Sequence, residues 1–243
     1  VTALKTAQAT VLASARKLAA FREVDSGSSA KESSPTRSVT TVGEAAAPVF
    51  ADDFSKLNSD QWKVESGEWT VNDGRLVQSL GETKQHRLIS MINHPRDFVA
   101  TLRLRITGGD QYRSVGLGFD VDGRAMNAVY LSVSGPKVQF TNQGSDGRWQ
   151  YPAAGMAAHP VQVGQDYELK LAVKDQLLNV FIDGELKVAF SLPATRKAGR
   201  FSIWTFSATA EFSQFSLSPL PAETLLMAGV KGSATPAKPL TRR

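Results

Sequence analysis

Hydrophobic and polar residues alternate with a period of two through the middle of the chain. In the stretch DFVATLRLRIT, Leu102, Leu104 and Ile106 alternate with polar neighbours, and the stretches SVGLGFDV, NAVYLSVS and DYELKLAVK repeat the pattern. Strict alternation buries one face of a strand and leaves the other in water, which is typical of antiparallel sheets. Many short strands separated by turn signals predict an all-β fold, a two-sheet sandwich of jelly-roll type.

Asp-Gly pairs recur between these apolar runs. They are Asp73-Gly74, Asp122-Gly123, Asp146-Gly147 and Asp183-Gly184. An Asp-Gly pair between alternating residues is a strong hairpin signal, because a type I′ turn needs positive φ at both central residues. We therefore interpret these aspartates as turn residues, with catalysis as the alternative reading of each carboxylate.

Composition and charge exclude several classes of function. The chain has no cysteine, which excludes disulfides, thiol catalysis and metal sites with Cys ligands. No apolar run approaches the roughly 20 residues of a membrane span. Residues 50–219 carry 18 basic and 18 acidic residues, so the net charge of +5 lies in the flanks. A nucleic-acid surface concentrates its basic residues on the folded domain, and the sequence therefore predicts no nucleic-acid partner.

The composition divides the chain into four segments. Residues 1–23 are alanine-rich, and heptad-spaced apolar residues predict an amphipathic helix, either alone or as half of a helical pair. Residues 24–48 are rich in Ser, Thr, Gly and Ala and predict a flexible linker. Residues 49–218 hold the predicted sandwich. Residues 219–243 predict a short helical phrase, AETLLMAG, followed by a disordered basic tail.

The two ends of the sandwich region resemble concanavalin A-like lectin/glucanase domains, a group that includes laminin G-like modules. The opening FADDFSKLNSDQWKVESGEWTVNDGRLVQS is similar to their F-x-D-D-F entry, which a Trp and G-x-W-x-v-x-D-G-x-L follow. The closing part, from YELKLAVKDQLLNVFIDGELKVAF to FSQFSLS, is similar to their C-terminal half. The resemblance covers roughly residues 49–218 and implies a carbohydrate-binding module in an extracytoplasmic location.

The flanks extend this resemblance. The chain begins at Val1 rather than at a methionine, which we interpret as processing or as a cut from a larger polypeptide. Helices on both sides of a lectin-like insert are similar to large multidomain, cytochrome-associated proteins of planctomycete bacteria. That similarity implies that the flanking helices contact domains of a host protein.

The acids of the family's enzymes have no counterpart that we can identify. Family-16 glucanases carry E-x-D-x-x-E along one strand, and retaining glycosidases need two carboxyl groups about 5 Å apart. The nearest match, EVDSGS from Glu23, lies in the predicted linker and ends in Ser28. Glu65 and Glu68 flank Gly67 and are interpreted as solvated hairpin acids. We therefore name no catalytic residue and favour a non-catalytic module, and a glycoside-acting enzyme remains an alternative.

A structural calcium is the one cofactor that the resemblance implies. Asp52 and Asp53 are the candidate ligands, but Ser213 stands in the last strand where another acid would help, and calcium takes six to eight oxygen ligands. His86, His94 and His159 lack zinc-motif spacing and are interpreted as surface histidines. The sequence thus predicts no cofactor, with calcium at the two aspartates left open.

A candidate binding face follows from the strand alternation. Two glycines inside one strand weaken it unless a ligand approaches the backbone closely, and sheet curvature is the other explanation. The candidate ligand-binding residues are Arg103, Arg105, Tyr112, Arg113, Gly116, Gly118, Tyr130, Gln139, Trp149 and Tyr151. Because they point away from the predicted core, replacing Tyr130 with alanine is expected to leave stability nearly unchanged. Trp62, Trp69 and Trp204 are assigned to the core.

These patterns favour a non-catalytic carbohydrate-binding or adhesion module that holds a glycan on the concave face of the sandwich. Aromatic faces take the C–H face of a sugar, and polar groups take its hydroxyls. A structural or protein-interaction module of laminin G-like type is the competing interpretation.

Overall fold

The structure, a computed structural model, describes residues 47–193 and 195–231. The predicted helix of residues 1–23, nearly all of the linker and the tail from residue 232 lie outside the described residues. No helix in the described part of the chain is long and apolar enough to cross a membrane.

The described residues form strands and one short 3₁₀ helix, Ala153–Gly155. The first nine strands are β1 (Phe50–Asp52), β2 (Trp62–Ser66), β3 (Trp69–Asn72), β4 (Arg75–Gln78), β5 (Gln85–Asn93), β6 (Phe98–Gly108), β7 (Ser114–Asp122), β8 (Ala125–Ser132) and β9 (Lys137–Gln143). The others are β10 (Trp149–Gln150), β11 (Met156–Ala158), β12 (Asp166–Lys174), β13 (Leu177–Ile182), β14 (Glu185–Ser191), β15 (Arg200–Phe206), β16 (Thr209–Pro219) and β17 (Val230–Lys231).

The strands form two sheets. Sheet A has the order β17-β14-β13-β12-β6-β16-β4-β3, with β1 beside β16. Sheet B has the order β10-β9-β8-β7-β15-β5-β2, with β11 beside β9. Among the described pairs only β14 and β17 are parallel. The predicted all-β, antiparallel, two-sheet architecture is therefore confirmed.

The main core lies between the two sheets and contains the alternating residues that the sequence assigned to it. Leu102 and Leu104 of β6, Val115 and Leu117 of β7, and Leu131 of β8 are completely buried there. Burying a large aliphatic side chain contributes about 1.5–3 kcal/mol, so these rows fix which face of each strand points inward.

Two of the four Asp-Gly pairs form the predicted turns. Asp73-Gly74 and Asp183-Gly184 have φ of 49° and 70°, and of 51° and 82°, as a type I′ turn requires. The Asp183 carboxylate also accepts the Glu168 N–H at 2.8 Å, so this acid has a structural role. The other two pairs do not form this turn, because only the glycine of each pair has a positive φ. The turn after β7 is centred one residue later, since Asp122 still pairs with Ala125.

The C-terminal segment from Leu220 to Lys231 crosses the outer face of sheet A, and we call it the strap. The predicted helical phrase is wrong, because these residues form no helix. Asn179 of β13 exchanges two hydrogen bonds with the backbone of Met227, at 2.9 and 3.0 Å. Leu220 and Leu226 pack against a small apolar cluster that includes Val99. These contacts with sheet A outweigh the local helical propensity of the segment.

Removing the strap is expected to destabilise the domain. A chain ending at Pro219 should unfold with a free energy about 2–4 kcal/mol below that of a chain ending at Lys231, because the buried Leu220, the partly buried Leu226 and the two hydrogen bonds to Asn179 are lost. Urea denaturation followed by tryptophan fluorescence measures the difference. Equal midpoints for the two chains would show that the strap does not contribute to the fold.

A buried ion pair joins β7 to the segment before β15. The pairing of β7 with β8 shifts near Asp120, whose φ is +53°. Such a bulge re-aims a side chain, and the Asp120 carboxylate accepts two hydrogen bonds from Arg196, at 2.9 and 3.0 Å. Arg196 also lies over the rings of Phe98 and Phe119. The pair is almost completely shielded from solvent.

His94 completes this network, and its predicted surface position is wrong. His94 is buried between the rings of Phe98 and Phe201. Its Nε2 accepts the Asp120 N–H at 2.9 Å, and its Nδ1 lies 2.7 Å from the Pro95 carbonyl oxygen, to which it donates in this tautomer. His86 is also buried. The burial of His94 depends on Asp120 and Phe201, which are distant in the chain, and no local sequence pattern reveals it.

Candidate functional site

The outer face of sheet B carries a row of residues from four adjacent strands. Trp204 of β15 pairs with Gly116 of β7, Gly116 with Tyr130 of β8, and Tyr130 with Gln139 of β9. In an antiparallel sheet, paired residues point to the same face. The aromatic side chains of Trp204 and Tyr130 meet over the glycine between them, with ring centroids 5.6 Å apart.

This face is not the wet surface that the alternation predicted. Its centre holds a second hydrophobic cluster, formed by Ile89, Val121, Met126, Ala128, Tyr130 and Trp204. Trp204 is therefore buried as predicted, but it lies outside the main core that contains Trp62 and Trp69. Alternation could not reveal this, because alanine, tyrosine and glycine at outward positions read as a polar face.

A cavity of about 690 Å³ lies over this cluster, and we call it the aromatic groove. Its aromatic lining consists of Tyr112, Tyr130, Trp149, Tyr151, Trp204 and Phe206. Its other lining residues are Gln85, Ser114, Ser132, Ser134, Gly135, Lys137, Gln139 and Thr141. Among these described lining residues Lys137 is the one charged side chain. The groove therefore combines flat apolar surfaces with neutral hydrogen-bonding groups.

Tyr130 forms part of the floor of the groove. Its hydroxyl donates to Gln139 Oε1 at 2.7 Å, and only 7% of the residue is exposed. Burial, with a smaller effect from Tyr151, raises the pKa of the Tyr130 phenol far above its usual range. The sequence-based expectation that Tyr130→Ala leaves stability nearly unchanged is therefore corrected. The variant should lose stability, because the Tyr130 side chain packs in the second hydrophobic cluster although it points away from the main core.

The two strand glycines do not form an open floor. A Cβ atom at Gly116 would lie 2.2 Å from the Val129 carbonyl oxygen. At Gly118 it would meet the Met126 sulfur at 3.1 Å. Gly116 is therefore required by close backbone packing within sheet B, and neither glycine lines the groove.

Trp149 and Tyr151 form one wall of the groove. Their rings are stacked with centroids 6.3 Å apart, and Trp149 also lies 6.1 Å from Trp204. Tyr151 is 44% exposed and presents its ring at the rim. Tyr112 lies at another edge, 5.5 Å from Phe206. The structure thus brings these predicted candidates together, and Arg113 lies beside Tyr112 without lining the groove.

Arg103 and Arg105 lie on the other side of the molecule, so the predicted single groove is divided. Both belong to β6 and point outward from sheet A. Arg103 pairs with Glu168 at 3.1 Å, and Arg105 pairs with Asp166. Strand alternation reveals which side chains point outward, but it does not reveal to which of the two sheets a strand belongs.

The acids considered at the sequence level also have structural partners. The two Asp52 oxygens accept hydrogen bonds from the Phe54 N–H and from Trp62 Nε1, both at 2.8 Å. Asp53 accepts the Ser55 N–H, which together with the Ser55 side chain lowers the pKa of its carboxyl. In the described part of the chain no three His, Asp or Glu residues cluster as a metal site.

Glu65 and Glu68 are engaged at the edge of the sandwich. Glu65 pairs with Arg87 at 3.1 Å, and Glu68 accepts the Ser79 hydroxyl at the same distance. Gly67 between them has φ of +94°, as the predicted turn requires. Their positions outside the aromatic groove agree with their interpretation as hairpin acids.

Nine of the fourteen residues that line the aromatic groove were not among the predicted binding residues, and Phe206, Lys137 and Gln85 are three of them. Phe206 and Lys137 stand at the ends of their strands, and Gln85 begins β5. Each pairs in register with a residue that faces the groove, as Phe206 pairs with Ser114. Only the order of strands in the sheet brings these positions together, and the sequence carries no local signal of that order.

Solved structures with the same architecture are numerous. Carbohydrate-binding module CBM66 from Bacillus subtilis is 19% identical, with a TM-score of 0.57, and the match covers 66% of this chain and 97% of that one. A β-glucanase from Bacillus licheniformis is 10% identical, with a TM-score of 0.55 and coverage of 70% and 97%. The described residues have a concanavalin A-like jelly-roll fold. A Bacillus subtilis protein of unknown function with a galectin-like fold is 12% identical, with a TM-score of 0.58 and coverage of 72% and 97%.

The sequence itself matches no protein-family model. No curated protein matches it either. At these identities the likeness establishes the concanavalin A-like fold, which carries both binding modules and enzymes among its solved examples. Function must therefore be argued from the aromatic groove.

Proposed function

We propose that this domain is a non-catalytic glycan-binding module and that its site is the aromatic groove. The observation that carries the proposal is the lining itself, in which six aromatic side chains surround neutral polar groups. Sugars present a C–H face that packs on aromatic rings and hydroxyls that bond to polar side chains. A cavity of about 690 Å³ has the size of an ordinary small-ligand site.

The polar groups of the groove are suited to hydroxyl recognition. Gln139 is fixed by the Tyr130 hydroxyl, and Thr141 is fixed by its bond to the Gln150 carbonyl at 2.7 Å. Fixed donors and acceptors lose little entropy when a ligand binds. Such preorganisation supports recognition of a polar, uncharged surface, as a sugar ring presents.

The charges of the lining support a binding role over hydrolysis. Glycoside hydrolases of the common type use two carboxyl groups that flank the scissile bond. Among the described residues that line the aromatic groove, none is an Asp or a Glu. Glu65 and Glu68 lie at the edge of the sandwich, where Glu65 pairs with Arg87 and Glu68 accepts the Ser79 hydroxyl.

The proposed host protein, location and glycan partner rest on the sequence resemblance to concanavalin A-like domains and on the structural neighbours. A binding module of this fold suits a larger, extracytoplasmic protein whose other domains contact its flanks. The structural neighbours include CBM66, a carbohydrate-binding module, and endo-acting O-glycanases that initiate mucin breakdown, and both support a glycan partner. Laminin G-like protein interaction is the competing function.

Replacing Tyr151 with alanine is expected to weaken glycan binding by about 1–3 kcal/mol, by analogy with stacking of bases on aromatic side chains. The free energy of unfolding of the Tyr151→Ala variant should stay within about 0.5 kcal/mol of the wild type, since Tyr151 is 44% exposed. A glycan array selects the ligand, and calorimetry measures its affinity.

Met91→Ala is the matched control, because Met91 is 48% exposed on the end of β5 and does not line the groove. It should bind as the wild type does. If the wild type binds no polysaccharide on the array, glycan binding is contradicted and protein interaction is favoured. Release of shortened glycans by the purified protein would contradict the non-catalytic role.

A further inference from the structure

Lys137 is the one charged residue among the described residues that line the aromatic groove, and no carboxylate among the described residues pairs with it. It begins β9, is partly buried and lines the aromatic groove, with its Nζ 5.9 Å from the centroid of the Tyr130 ring. None of the ion pairs among the described residues involves it. On sheet A, by contrast, the outward-facing Arg75, Arg103 and Arg105 each pair with a carboxylate.

Several hydrogen-bonding groups of the groove can only donate. The Tyr130 hydroxyl occupies Gln139 Oε1, which leaves the amide nitrogen of Gln139 to donate. Trp204 Nε1 and Gln85 Nε2 are buried donors that have no acceptor among the described residues. A ligand rich in acceptors complements groups that donate hydrogen bonds. A carboxylate is such a ligand, because it only accepts.

We infer that the aromatic groove selects a glycan that carries a carboxylate, such as a hexuronic or a sialic acid, and that Lys137 binds this group. The inference rests on the proposed glycan-binding function and names its ligand class. The groove that Trp149 and Tyr151 line also contains Lys137 and Gln139, which lie two residues apart on β9. A partly desolvated cation attracts an anion more strongly than a fully hydrated one does.

Matched glycan pairs test this selection in the full chain. One pair is an oligosaccharide of hexuronic acids and the same oligosaccharide with its carboxyl groups reduced to alcohols. The other pair is a sialylated glycan and its desialylated form. The acidic member of at least one pair should bind roughly tenfold or more tightly, since hydrogen bonds to charged groups are the stronger class. The preference should fall as salt is raised, and the responding pair identifies the acid.

Two variants assign the preference to Lys137. Lys137→Met should reduce the acidic-to-neutral ratio to within about twofold, and Lys137→Arg should preserve it because the charge is kept. Lys170→Met is the matched control, because Lys170 Nζ lies 5.8 Å from the Phe181 ring on sheet A and is remote from the groove. It should leave the ratio unchanged. Thermal unfolding of each variant shows whether the fold is intact.

The outcomes separate the two proposals. If both members of each pair bind equally and Lys137→Met changes neither affinity, the carboxylate selection is overturned while glycan binding stands. If a preference persists in Lys137→Met, another group holds the carboxylate and the assignment is overturned. If no glycan of either pair or of the array binds, the glycan-binding function itself fails.

Discussion

Replacing Arg196 with methionine is expected to destabilise the domain by about 3–5 kcal/mol, because removing one partner of a buried ion pair leaves the other charge uncompensated. The Asp120 carboxylate accepts two of the Arg196 hydrogen bonds, and a third donor group, Arg196 Nη1, bonds to the Arg96 carbonyl at 2.6 Å. Urea denaturation of the two proteins at neutral pH measures the loss.

Arg96→Met is the control for this substitution. Arg96 forms an ion pair with Asp175 at 3.2 Å, but both side chains are about two-thirds exposed, at 64% and 68%. Exposed pairs contribute about 0–1 kcal/mol, so this variant should remain close to the wild type. Equal losses for the two arginine variants would contradict the assignment of stability to burial.

The same ion pair predicts a pH dependence. Burial raises the pKa of the Asp120 carboxyl, but the hydrogen bonds and the charge of Arg196, together with a hydrogen bond from the Asn127 amide, outweigh burial, and the pKa lies below its ordinary value of 3.8. A carboxyl whose pKa is lower in the folded state stabilises the fold above its unfolded pKa, and this contribution is lost as the pH falls through the folded pKa. The difference in stability between the wild type and Arg196→Met should therefore shrink below about pH 4.

Replacing Gly116 with alanine is expected to cost about 3 kcal/mol or more, the upper range for overpacking. The new Cβ atom would lie 2.2 Å from the Val129 carbonyl oxygen and 2.8 Å from the Tyr130 Cα, so the backbones of β7 and β8 would have to separate. The thermal midpoint and the urea denaturation of the variant measure this loss.

Gly118→Ala is the matched control in the same strand. Its Cβ would meet the end of the flexible Met126 side chain at 3.1 Å, which can move aside. We expect a loss below about 1 kcal/mol there. A Gly116→Ala variant as stable as Gly118→Ala would show that sheet B tolerates the added atom. It would also restore the sequence-based interpretation of Gly116 as part of the binding face.

The sequence determined the strands, their inward faces and the class of fold. Alternation assigned Leu102, Leu117 and Leu131 to the core, and all three are completely buried between the sheets. This information is local, because the side-chain direction in a strand follows from its period of two. Asp183-Gly184 was equally readable, since few residues other than Gly, Asn and Asp adopt the backbone of a type I′ turn.

The tertiary structure alone decided which outward-facing residues share a surface. Arg103 and Tyr130 both alternate with core residues, yet one belongs to sheet A and the other to sheet B. The consecutive strands β7 and β8 are neighbours in one sheet, whereas β6 and β7 lie in different sheets. Proximity in sequence therefore does not decide proximity on a face. The extended form of the strap was also decided only by the tertiary structure, because it depends on Asn179 of β13, which is distant in the chain. The aromatic groove is likewise a product of strand order, because only that order places Trp204, Tyr130 and Gln139 in one row.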